Sequence, residues 1–212
     1  FLTGKGRYTA DINLANQTYA VFIRSPHARA TIKKIDISKA IKASGVVNIL
    51  TGEDIAKDKI GGLIAGWAIR SEDGSEMKCP PNPPLAKDNV NFVGDPVAVV
   101  FAESLDEAKA AVELVKIDYK VLKAVTSLAD TMKSEAIHEG IEKNLCYDWL
   151  LGDRQKVKEA FDKADKIIKL DITNNRLIPN AMEPRACVID YNTASEEITC
   201  YTTSQNPHLS RL

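Results

Sequence analysis

Apolar and polar positions are distributed along this chain in two regimes, an ordered first half and a sparser second one. Residues 18–24 (TYAVFIR) predict a strand rich in β-branched and aromatic side chains, ended by Ser25-Pro26-His27. Residues 28–37 carry Ala30, Ile32, Ile35 and Ile37 around Lys33-Lys34 and predict its partner. Ser38 is placed to cap a short helix through Ala43, and Gly45 supplies a left-handed stop. Residues 46–50 read as a continuous apolar run, hence a buried strand. Thr51-Gly52-Glu53-Asp54 then has the form of a capping box opening another helical turn.

Between 57 and 87 the periodicity dissolves. Gly61-Gly62, Gly66 and Pro80-Pro81-Asn82-Pro83-Pro84 predict a long irregular excursion, of a length that is usually functional or an interface. Order returns at 89–101, where Gly94-Asp95-Pro96 divides two apolar stretches and 97–101 predicts a second buried strand. Ser104-Leu105-Asp106-Glu107 opens a helix with Ala108, Ala111, Val112 and Val115 on one face. Residues 116–122 follow as a strand, predicted to close a β–α–β unit.

A boundary falls within 123–152, where 126–133 fits a short helix and 138–149 has no sustained period, as in a linker laid over a surface. Gly152-Asp153 caps a helix with Val157, Ala160, Phe161 and Ala164 on one stripe. Strands are predicted at 166–174, 185–191 and 197–203, with Asn192-Thr193-Ala194-Ser195 as the hairpin turn between the last two. The last strand reads as an exposed edge awaiting a neighbour. The abrupt opening at Phe1 and the strands arriving just before residue 212 are expected of one piece of a longer or split polypeptide.

Composition narrows the function classes. Lys+Arg 28 against Asp+Glu 29 gives a formal charge of −1, so no nucleic-acid footprint is expected. The longest apolar runs are about six to eight residues, against roughly 20 for a spanning helix, so no membrane segment is expected. Cys79, Cys146, Cys187 and Cys200 lack the spacing of a zinc or iron–sulfur site. Cys187 and Cys200 fall inside strand patterns, where buried reduced thiols are expected, and a cytoplasmic location follows.

Seven segments, in order, resemble one family. They are Phe1-Leu2-Thr3-Gly4-Lys5-Gly6-Arg7-Tyr8 with Asp11, Arg24-Ser25-Pro26-His27-Ala28, and Gly45-Val46-Val47 with Leu50-Thr51-Gly52-Glu53-Asp54. Then come Val93-Gly94-Asp95-Pro96-Val97-Ala98, Gly152-Asp153 with Ala160-Phe161 and Ala164-Asp165, Met182-Glu183-Pro184-Arg185, and Gln205-Asn206-Pro207-His208. The family is the molybdenum hydroxylases: large subunits of carbon monoxide dehydrogenase, xanthine dehydrogenase and aldehyde oxidoreductases.

The resemblance implies an α+β architecture, with an α/β hammerhead domain at 1–125, a linker at 126–150, and the first strands and helix of an incomplete molybdopterin-binding domain at 151–212. It implies the N-terminal part of an oxidoreductase large subunit, inactive by itself. It further implies molybdenum held by molybdopterin as the cytosine dinucleotide in the intact enzyme, and absent from this piece. The implied partners are the remainder of the large subunit, an iron–sulfur subunit and an FAD subunit, as an oligomer of heterotrimers. Gln205 is the one cofactor residue carried over, its amide hydrogen-bonding an oxo ligand of molybdenum; a neutral amide does so without adding charge.

No catalytic residue and no metal ligand is carried over. The family's pterin-contacting glycine segment, substrate-side loop and catalytic glutamate have no counterpart here, and Cys187 and Cys200 lack the context of the carbon-monoxide-oxidising cysteine loop. Glu183 and Arg185 are expected as a structural charge pair or domain-interface contact, His27 as a turn residue, and His208 as a weaker candidate near the cofactor. A non-catalytic assembly module, docking onto a separately encoded remainder or the iron–sulfur subunit, is the alternative.

Overall fold

The computed structural model describes residues 2–65 and 68–210. Phe1 of the first family segment and Gly66 of the irregular excursion lie outside the described residues. Contacts divide the chain into a larger unit, Thr18–Glu159, and a smaller one formed by Phe1–Gln17 with Ala160–Leu212.

The larger unit contains, in order, strands β1 (Tyr19–Arg24), β2 (Ala30–Asp36) and β3 (Val46–Thr51), helix α1 (Gly52–Lys57), and strands β4 (Asn89–Val90) and β5 (Pro96–Ala102). Helix α2 (Leu105–Val112), strand β6 (Lys116–Val121), the single turn α3 (Leu128–Thr131) and most of α4 (Arg154–Asp162) complete it. Two three-stranded sheets result, β1-β5-β3 and β4-β2-β6. Every pairing is antiparallel, with Phe22 and Leu50 both opposite Val99 in the first sheet and Ile35 opposite Ile117 in the second.

The centre of the unit is β5, an apolar run flanked on both edges and buried on both faces, as its composition requires. Val100 packs with Ala40, Ile49 and Ala111, while Val97 joins Ala30, Ala86 and Val90, and Val99 joins Ile55 and Leu85. Alanines 108 and 111 let α2 lie against the sheet. Its first turn is closed by Ser104 Oγ, which accepts from Glu107 N at 3.2 Å and donates to Glu107 Oε2 at 2.8 Å. The same carboxylate covers Gly45, whose φ of +70° excludes most side chains and whose Cβ position the carboxylate already fills.

Three sequence expectations are corrected in this unit. The helix predicted from Ser38 is a 3₁₀ turn, Ala40–Lys42, whose N-cap is Lys39; the Ser38 N–H donates to Asp36 Oδ1 at 3.0 Å. Strand β3 is an edge strand and not a buried one; Asn48 interrupts it and Val47 is exposed. Strands β5 and β6 do not form a β–α–β crossover, since β6 enters the other sheet, antiparallel to β2. The 57–87 excursion is irregular as expected, with no helix or strand after Lys57 among its described residues and one isolated bridge, Arg70 to Glu76.

In the smaller unit, a hairpin of β7 (Cys187–Asn192) and β8 (Glu197–Thr202) turns at Asn192, whose side chain accepts from Ala194 N and Ser195 N. The short helix α5 (Pro207–Ser210) follows. The strand predicted at 166–174 is absent: this segment has no ladder partner among the described residues, and Ile167, Ile168, Leu170 and Ile172 are exposed. Cys187 and Cys200 are likewise exposed and not buried, since among the described residues no third strand pairs with the hairpin.

Candidate functional site

Gln205 sits in a bend three residues beyond β8, not at the strand end itself. The bend is built by short polar side chains. Asn206 N donates to Ser204 Oγ at 3.2 Å, and Asn206 Oδ1 accepts from Leu209 N at 3.3 Å, capping α5. Pro207 occupies the first helical position, where its missing N–H costs nothing. Ser204 Oγ and Ser210 Oγ, 2.7 Å apart, close the turn. Gln205 itself is exposed and hydrogen-bonded to none of the described residues, so its amide is available to a group outside them. His208 lies within α5, exposed.

Of the charge pair or domain-interface contact expected of Met182-Glu183-Pro184-Arg185, the charge pair is not formed. Among the described residues no ion pair joins Glu183 to Arg185, which is exposed. Half-buried Glu183 instead accepts from Thr9 N at 3.1 Å. Thr9 opens a 3₁₀ turn, Thr9–Asp11, whose Asp11 carboxylate accepts from Tyr8 N at 2.8 Å. Two family segments far apart in sequence thereby share one hydrogen-bonded contact.

In the larger unit two further segments interlock. Ser25 N donates to Asp95 O at 2.9 Å, Gly94 N to Ser25 O at 2.8 Å, and Arg24 to Gly94 O at 2.9 Å, tying the end of β1 to the start of β5. Asp95 and Ser25 are buried; Asp95 Oδ2 accepts from Asn91 N at 2.9 Å, and burial pushes its carboxyl above the ordinary range. Beside them Tyr119 Oη is buried with no hydrogen-bond partner among the described residues, and its ring meets His27 edge-on at 5.1 Å. His27 is the turn residue expected of it. Burial, opposed by the nearby Ser25 hydroxyl and aided by Asp95, pushes the Tyr119 phenol up. This buried cluster was missed in the sequence, where Gly94-Asp95-Pro96 reads only as a break between strands.

A third segment acts through its cap. Thr51 N and Oγ1 both donate to Asp54 Oδ2 at 2.8 Å, holding that carboxyl below its usual range. Between them Gly52 is buried under the Ala86–Lys87 backbone, where any Cβ would overlap it. The excursion after it lines a groove of about 790 Å³, with Pro80, Phe92, Asp95, His138 and Tyr147 among its walls. The predicted linker is pinned across this loop, with Lys78 N donating to Cys146 O at 3.0 Å and Glu72 N to Asp148 O at 2.8 Å. No cluster of three or more His, Cys, Asp or Glu side chains fit to hold a metal occurs among the described residues.

Residues 3–123 match the family model described as aldehyde oxidase and xanthine dehydrogenase, a/b hammerhead domain. Residues 137–212 match the molybdopterin cofactor-binding domain. The chain is 31% identical over 211 residues to the nicotine 6-hydroxylase large subunit of Paenarthrobacter nicotinovorans, with 100% of the chain and 25% of that protein aligned. It is 30% identical over 227 residues to the carbon monoxide dehydrogenase large chain of Afipia carboxidovorans, again with 100% of the chain but 26% of that protein. Among solved structures, the carbon-monoxide-reduced Cu,Mo-CO dehydrogenase superposes with a TM-score of 0.82 at 29% identity, over 99% of this chain and 27% of that one. Quinoline 2-oxidoreductase from Pseudomonas putida 86 superposes with a TM-score of 0.79 at 28% identity, over 99% and 26%. The chain thus spans about a quarter of the length of these relatives.

Proposed function

This chain belongs to the molybdenum hydroxylases of the aldehyde oxidase and xanthine dehydrogenase family, and from that premise we propose that it is the N-terminal part of the large subunit of a molybdenum-dependent dehydrogenase or hydroxylase. The observation that carries this reading is the succession of two matches, hammerhead at 3–123 and cofactor-binding domain at 137–212, on a chain a quarter the length of its relatives. The sequence modules are 1–125, 126–150 and 151–212, with residues 2–17 packed in the smaller unit. A physical observation supports the reading. No residue from 151 to 210 is buried, and Ile168, Leu170, Ile172, Leu177 and Ile178 expose most of their surface, an apolar load that further polypeptide would cover.

Gln205 is suited to a molybdenum–pterin group in one respect only: it offers a neutral amide, unengaged by the described residues, on a bend held by Ser204 and Asn206. Its N–H would donate to an oxo ligand of such a metal, placing a dipole there without adding charge. When bound, the molybdenum–pterin cytosine dinucleotide supplies the redox chemistry, taking electrons from substrate for the iron–sulfur and FAD subunits. Ser204 and Asn206 act as positioning residues by fixing the backbone on both sides of Gln205. No catalytic acid or base is assigned within this chain. The relatives are named for nicotine and carbon monoxide, so the assignment is to a reaction class, oxidation of a small carbon substrate. The assembly proposed is an oligomer of heterotrimers in the cytoplasm.

The test is co-expression of the full-length large subunit with its iron–sulfur and FAD subunits, followed by molybdenum and pterin analysis. Equimolar molybdenum and pterin in the large subunit is the expected result. A stable complex free of both would overturn the enzymatic reading and establish the assembly-module alternative.

A further inference from the structure

We propose that Cys187 and Cys200 form a redox-responsive dithiol, closing reversibly into a cross-strand disulfide that clasps the β7–β8 hairpin. The register pairs Cys187 with Thr202 and Ile189 with Cys200, so the two cysteines are diagonal neighbours. Side chains alternate along each strand, which puts both thiols on the same face of the hairpin. Their sulfurs lie 3.6 Å apart. A disulfide needs about 2.05 Å, so side-chain rotation has to draw them together by about 1.5 Å.

The other two cysteines have no such arrangement. Cys79 Sγ contacts the Met77 carbonyl at 3.8 Å, and no thiol contact of Cys146 occurs among the described residues. Partial burial, reinforced by the neighbouring Cys200 thiol, pushes the Cys187 thiol up. In the first step the Cys200 thiolate attacks one sulfur of a small disulfide such as oxidised glutathione, releasing one glutathione thiolate. In the second the Cys187 thiolate attacks Cys200 Sγ, forming the protein disulfide and releasing the second glutathione. Two cysteine thiols are oxidised and one external disulfide is reduced, with the two protons carried away on the glutathione thiols. Reduced glutathione reverses the sequence.

The test is differential alkylation with peptide mass mapping on the full-length subunit, in complex with its partners, after equilibration in reduced or oxidised glutathione. Oxidised samples should yield a Cys187–Cys200 cross-linked peptide lighter by two hydrogens, with Cys79 and Cys146 still alkylated, and reduced glutathione should restore all four thiols. The Cys187→Ser variant should instead accumulate a glutathione adduct on Cys200. Persistent mixed adducts on the wild-type cysteines, or two thiols that stay alkylatable throughout, would overturn the proposal. The wild-type mapping decides the matter even where the serine variant folds poorly.

Discussion

The Thr9 backbone N–H donates to Glu183 Oε1 at 3.1 Å, a bond between residues 174 positions apart. It fastens the N-terminal segment to the strand-bearing end of the smaller unit, and it does so with a carboxylate, which makes a stronger acceptor than a neutral group. Glu183→Ala should release the first turn by about 1 kcal/mol, read as roughly fivefold faster hydrogen exchange at the Thr9 amide. Glu183→Gln keeps an acceptor and should lie between the two. Exchange unchanged in the alanine variant would show the contact to be incidental.

Asp54 should make the larger unit sensitive to acid. Its carboxyl is held below 3.8 by the Thr51 backbone and hydroxyl donors, so the folded chain binds that proton less tightly than the unfolded one. The stabilisation is complete above 3.8 and is lost as pH falls through the lower folded value. Thr51→Ala should cost about 1 kcal/mol by loss of the helix cap. Asp54→Asn should also flatten the acid limb of a urea-unfolding series across pH.

Asp95 has the opposite sign. Burial raises its carboxyl above 3.8, so the folded chain holds the proton more tightly than the unfolded one. Its contribution is complete below 3.8 and is lost as pH rises through the folded value. Asp95→Asn preserves an oxygen for the Asn91 N–H and removes the buried charge. Stability at neutral pH should rise by about 1 kcal/mol, and the part of the pH dependence due to this group should vanish. A clear loss of stability at neutral pH would mean that the charge itself is used.

Gly52 is held by proximity and not by backbone conformation. Gly52→Ala places a methyl group against the Ala86 carbonyl and the Lys87 Cα, neither of which is a flexible tip. The expected cost is about 1–3 kcal/mol, measured by thermal unfolding.

Strand existence was largely legible in the sequence, because β1, β2, β5 and β6 each carry local apolar patterns that a sheet face demands. Pairing was not. The pattern of β6 fits either sheet equally, and only the tertiary arrangement sends it to β2. Position in the sheet was misjudged for β3, where Asn48 marks an edge that the surrounding valines obscured. Capping boxes at Thr51 and Ser104 were readable because their donors and acceptors are three residues apart. Glu183 is the converse case: its partner is distant in sequence, so the neighbouring Arg185 looked the natural one. Gln205 is polar, exposed and locally unremarked, and only the resemblance around it singled it out.

The role of Gln205 is best tested by Mo(V) electron paramagnetic resonance on the assembled holo-complex, comparing wild type with Gln205→Ala at equal molybdenum content. An altered Mo(V) signal together with a fall of about 10-fold or more in turnover is expected where the amide donates to the metal's oxo ligand. Superimposable spectra and unchanged turnover would contradict it.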